Sequence, residues 1–155
     1  MQIRHLRVLL PLATAALAIT LARCGKIAEP TPASGTFSSV YATLKSACIE
    51  CHQPGGSATT QGATLDFTSQ QTSYTTLLAA TAKSGGGACT SVKIVVAGNP
   101  TNSYLSATLF SSYNINNFAG ASGCQPYTAH LQDQHISADE QTSIIAWIQG
   151  GALNN

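Results

Sequence analysis

Two cysteines and a histidine stand together at Cys48-Ile49-Glu50-Cys51-His52. Two thiols at this spacing, followed at once by an imidazole, suit one chemistry well. Each thiol adds across a vinyl group of a porphyrin to form a thioether, and the adjacent histidine is held under the ring, where its nitrogen binds the iron. The spacing predicts one covalent haem c, with Cys48 and Cys51 as the thioether links and His52 as the proximal ligand. Two other uses of paired cysteines fit less well. A structural zinc site needs four ligands, and the sequence has no second cysteine pair at zinc-knuckle spacing. A thiol–disulfide redox pair needs a strand-to-helix setting in an α/β chain, which this pattern lacks.

Several elements must position that motif. Phe37, Val40, Tyr41, Leu44, Ala47 and Cys48 recur at three- and four-residue steps, which predicts a helix with the first cysteine on its buried side. Ser34 or Thr36 is placed to cap it. Gln53-Pro54-Gly55-Gly56 stops helical structure, and residues 57–62 read as a polar loop. A second helix is predicted from a Ser69 cap to about Ala82, with Tyr74, Leu77, Leu78 and Thr81 on one face. Residues 92–96 read as a short extended piece. Asn99-Pro100 starts another helix, with Tyr104, Leu105 and Leu109 inward. The last helix has the clearest signal. Ser137-Ala138-Asp139-Glu140 is a capping box, Ile144, Ile145, Trp147 and Ile148 form the apolar face, and Gly150-Gly151 ends it.

The 155 residues suffice for one domain. Only 8% are charged, and the formal net charge is +1. No basic block is present, which argues against a nucleic-acid binder. No run of about 20 apolar residues follows the N-terminal region, which argues against an integral membrane bundle. Arg4, His5 and Arg7 precede an apolar stretch over residues 8–21, the layout of a secretory signal. Leu21-Ala22-Arg23-Cys24 resembles a lipoprotein box in which Cys24 is lipidated, although Arg23 departs from the small residue expected there. Ordinary cleavage after Ala22 is the alternative. The predicted organisation is a signal peptide over 1–23, a flexible Pro- and Ser-containing tether over 24–36, and a folded domain over 37–152. Cleavage before Cys24 removes Arg4, Arg7 and Arg23, which leaves four lysines against six acids, a net of −2.

Residues 37–52, Val95-Val96-Ala97-Gly98-Asn99-Pro100, and the run from Ile136-Ser137 to Trp147-Ile148-Gln149-Gly150-Gly151-Ala152 together resemble the small bacterial mono-haem cytochromes c of class I type. The predicted elements are mainly helical, and the expected fold class is all-α. The resemblance implies cytochrome c-like helices around one covalently bound haem, here with long polar loops. It also implies a periplasmic electron carrier rather than an enzyme. The implied partners are redox proteins of the respiratory chain or a periplasmic oxidoreductase, with no nucleic acid and with the membrane reached only through a lipid anchor.

The family's sixth iron ligand is usually a methionine shortly before the last helix. The one methionine here is Met1, within the signal. His130 lies close to where that methionine would sit, and it is the preferred distal ligand; His135, almost at the last helix cap, is the alternative. A position left open to water or a small gas is a third reading, and it would make the protein a gas-binding or sensing haem protein. A peroxidase would need charged distal donors, and no arginine follows the signal. A cytochrome subunit of a larger oxidoreductase is also compatible with the sequence. Two imidazoles favour ferric iron relative to a thioether, so a His/His haem is expected at lower potential than its methionine-ligated relatives. Cys89 and Cys124 remain after the haem and lipid cysteines are assigned, and an oxidising compartment predicts a disulfide between them, worth about 2–4 kcal/mol.

Overall fold

The computed structural model describes residues 35–83, 89–113, 121, 123–124 and 136–155. Five α-helices lie among them: α1 (Phe37–Cys48), α2 (Ser57–Thr60), α3 (Gln70–Ala79), α4 (Tyr104–Leu109) and α5 (Ala138–Gln149). A 3-10 turn at Pro100–Asn102 precedes α4. No strand occurs among the described residues; one isolated bridge pairs Thr81 with Lys93. The fold class is all-α.

Helix α1 starts where its cap dictates. Thr36 is extended, and its hydroxyl accepts from the Ser39 amide. That satisfies one of the amides a helix start leaves without a partner. The buried face is Phe37, Val40, Thr43 and Leu44. Ala47, expected inward, is exposed, and Thr43 takes the inward position instead. The reason is the partner helix: Thr43 Oγ1 donates to Glu140 Oε1 of α5 at 3.2 Å. Glu140 also accepts from the Ser137 amide at 2.8 Å, which closes the capping box of α5. One carboxylate therefore starts α5 and ties it to α1.

Phe37 is the point where three helices meet. Its ring lies 5.1 Å from Tyr74 of α3 and 5.1 Å from Trp147 of α5. Gly35 runs so close to the Trp147 backbone that a Cβ would overlap it. The segment after α5 then folds back over this cluster. Trp147 Nε1 donates to the Leu153 carbonyl at 2.8 Å, and Tyr74 Oη donates to the Ala152 carbonyl at 3.1 Å. The Phe37 amide donates to Asn155 Oδ1 at 2.9 Å, so a residue 118 positions away satisfies the first amide of α1.

Three predicted boundaries shift. Residues 57–60 form a single helical turn rather than loop, because the Thr59 hydroxyl donates to the Gln53 and Gly56 carbonyls and draws the chain round. Helix α3 ends at Ala79 rather than near Ala82. Residues 80–82 leave the helix to pair with 92–94: the Ala82 amide donates to the Val92 carbonyl at 2.8 Å, and the Ile94 amide to the Ala80 carbonyl at 3.1 Å. The helix expected from Asn99 breaks at Ser103, whose buried hydroxyl accepts from the Val96 amide at 2.8 Å and donates to the Asn99 carbonyl at 2.9 Å. A side chain that bonds its own neighbouring backbone in this way competes with helix continuation.

Helix α4 has only six residues, and all six are buried. No side chain caps its start. The Tyr104 and Leu105 amides instead donate to the Lys93 and Ile94 carbonyls, at 3.1 and 2.9 Å. Its apolar residues join the same core as α1, α3 and α5. Cys89 and Cys124 form a disulfide, both fully buried, that brackets the segment holding the 92–96 run and α4.

Candidate functional site

The motif begins on the last residue of α1 and continues past its end. The Cys48 carbonyl accepts from the His52 amide at 3.0 Å and from the Cys51 amide at 3.3 Å. The second bond is a tightened 3-10-type closure of the last turn. Residues 48, 51 and 52 are thereby wound together at the end of α1. His52 is 9% exposed. Its ring meets the Phe67 ring edge to face, with centroids 5.5 Å apart. The Phe67 amide donates to the His52 carbonyl at 2.9 Å, so backbone and ring both fix the histidine.

The loop after the motif is held equally tightly. The Ala58 amide donates to the Cys51 carbonyl at 3.2 Å. A Cβ at Gly56 would overlap that same carbonyl, so only glycine fits there. Gly55, with φ +80°, makes the turn that leads into it.

Cys48 and His52 line a cavity of about 90 Å³ that opens to solvent. The lining is mostly apolar. Leu44 continues the α1 wall; Leu65 and Phe67 form a second side; Ile94, Leu105 and Leu109 form a third. Cys51 does not line the cavity and is exposed beside it. Both motif cysteines are free thiols. Burial, helped by the neighbouring Cys51, pushes the Cys48 thiol up to about 11. A thiolate ligand or an exchanging redox cysteine has the opposite perturbation, a lowered pKa. Among the described residues no three His, Cys, Asp or Glu side chains converge as a metal-binding group.

The structure therefore brings two of the motif residues to one cavity and leaves the third at its edge. His130, His135 and Cys24 lie outside the described residues. Of the other lining residues, Leu44, Thr81, Tyr104, Leu105 and Leu109 lie on faces the spacing predicts, whereas Leu65, Phe67, Thr108 and Lys83 were not singled out. Leu65 and Phe67 alternate around Asp66, which puts both on one side of an extended run, and that period-two pattern was the available signal. Thr108 and Lys83 carried no local signal. Thr108 is 6% exposed and lines the cavity, and its hydroxyl has no hydrogen-bond partner. A buried hydroxyl left in that state costs about 1–3 kcal/mol.

The residues present suit a porphyrin. The donor chemistry matches: a buried imidazole and one thiol stand in an apolar wall open to solvent, and the second thiol is exposed. Among the described residues no helix is long and apolar enough to cross a membrane. No protein-family model matches the chain, and no curated protein and no solved structure matches it.

Proposed function

We propose that this protein is an exported, periplasmic electron-transfer protein with a class I cytochrome c-like arrangement around one haem c. The observation that carries the reading is the convergence of Cys48 and His52 of a Cys-x-x-Cys-His motif on one apolar cavity. Bound there, the group supplies a one-electron ferric/ferrous couple. The chain's own residues do the rest. Cys48 and Cys51 anchor the macrocycle. His52, braced by Phe67, would supply the nitrogen that binds the iron. Leu44, Leu65, Ile94, Leu105 and Leu109 give the cavity its apolar lining. No substrate is converted, and the partner is a redox protein of the respiratory chain or a periplasmic oxidoreductase. His130 is the proposed distal ligand, with His135 the alternative.

An absorption spectrum with a pyridine haemochrome assay on the exported protein tests this. The expected result is a c-type haemochrome with low-spin bands, lost from the Cys48→Ala/Cys51→Ala double variant. His130→Ala is expected to turn the spectrum high-spin. If it stays low-spin while His135→Ala turns it high-spin, the distal ligand is His135. A high-spin parent that binds carbon monoxide supports an open iron and gas chemistry instead. Absence of covalent haem from the parent overturns the reading.

A further inference from the structure

The far wall of the cavity is not purely apolar. Thr81, Lys83 and Thr108 all line it. Thr81 and Lys83 are two residues apart in an extended run, so their side chains leave the same side of the backbone. That run is bound to α4 through a shared intermediate. The Ala82 amide bonds Val92, the Ile94 amide bonds Ala80, and the Leu105 amide bonds Ile94. Thr108 stands one turn further along α4 from Tyr104. A helical threonine commonly donates to the carbonyl four residues back. The Thr108 hydroxyl does not, although it is buried. A χ1 rotation carries the hydroxyl to another staggered position, so it can turn to answer a polar atom in the cavity. Lys83 is exposed, and it is the one charged side chain among the described residues that line the cavity. No described lining residue is acidic.

A cation at the opening and unsatisfied hydroxyl capacity inside an otherwise apolar wall match a carboxylate. An anion is costly to bury unless donors meet it, and charge-assisted hydrogen bonds are the strong ones. A haem is an apolar plane with carboxylate side arms. We propose that Thr108, Thr81 and Lys83 form the subsite that receives one porphyrin carboxylate, and so set which way the ring enters between α1 and α4. This inference rests on the haem reading above.

The test uses the exported holoprotein and three substitutions. Thr108→Val removes the hydroxyl at nearly constant volume, Thr108→Ser returns it, and Lys83→Gln removes the charge from an exposed side chain. Haem content by pyridine haemochrome comes first. A parent without covalent haem overturns the reading beneath this proposal and the proposal with it. With haem present, the readouts are the propionate-bending bands in the resonance Raman spectrum and the reduction potential. Thr108→Val is expected to shift one of those bands, and Thr108→Ser to restore it. Both Thr108→Val and Lys83→Gln are expected to lower the potential, because a less neutralised carboxylate favours ferric iron. Normal haem content with unchanged bands and unchanged potential in both variants overturns the subsite and leaves the haem reading standing.

Discussion

The two walls of the cavity are built on different principles. The α1 wall is secured by side chains. Thr36 caps α1, Ser137 and Glu140 cap α5, and Phe37 stacks between Tyr74 and Trp147. The α4 wall is secured by backbone and by a covalent bond. Its helix is short, starts on carbonyls lent by residues 93 and 94, and is bracketed by the Cys89–Cys124 disulfide. The first wall carries the reactive motif and the second carries the polar lining. A six-residue helix has little stability of its own, because helix nucleation is unfavourable and only tertiary burial offsets it. Precise presentation of a histidine thus comes from a well-capped helix, while the opposite wall depends on its surroundings.

The comparison can be broken most decisively at Trp147. Trp147→Ala empties the centre of the α1 wall and is expected to destabilise the protein by about 3–5 kcal/mol, read from denaturant unfolding. A loss below 1 kcal/mol would mean that the aromatic cluster does not hold the two helices together. Breaking the disulfide with Cys89→Ala/Cys124→Ala is expected to cost about 2–5 kcal/mol. Hydrogen exchange sharpens the point: α4 amides are expected to lose more protection than α1 amides. Equal loss in both helices would show the walls to be one cooperative unit.

Smaller effects separate the caps. Ser137→Ala removes half of the capping box and is expected to cost about 0.5–2 kcal/mol, again by denaturant unfolding. The same box predicts a pH dependence. Hydrogen bonds from the Ser137 amide and hydroxyl, with a lesser one from Thr43, hold the Glu140 carboxyl below its ordinary value. A carboxylate with a lower pKa folded than unfolded adds stability above its unfolded pKa, and that contribution fades as pH falls through the folded value. The Tm gap between parent and Glu140→Gln is therefore expected to be widest near neutral pH and to narrow in acid. A gap that does not change with pH would show that the ionised form is not what α5 uses.

How much was readable in advance depends on the range of the forces involved. The capping box of α5, the inward Phe37, Val40 and Leu44 of α1 and the motif itself depend on residues within one or two turns, and they stand where the pattern placed them. Thr43 was missed because its burial depends on Glu140, 97 residues later. The early end of α3 and the break at Ser103 were missed for the same reason: residues 80–82 gain more by pairing with 92–94, and Ser103 bonds Val96 and Asn99.

The sequence by itself determined the local chemistry: two thiols and an imidazole at the end of an amphipathic helix, and a strongly capped final helix to pack against it. Spacing and capping are properties of adjacent residues, so they survive without knowledge of the fold. Only the tertiary structure decided which motif atoms face the cavity. Cys48 and His52 enter it, while Cys51 stays at its edge, because the Cys48 carbonyl captures two following amides and Phe67 folds over the imidazole. The tertiary structure also placed Thr108 and Lys83 on the opposite wall, where long-range backbone pairing rather than any local pattern brings them together.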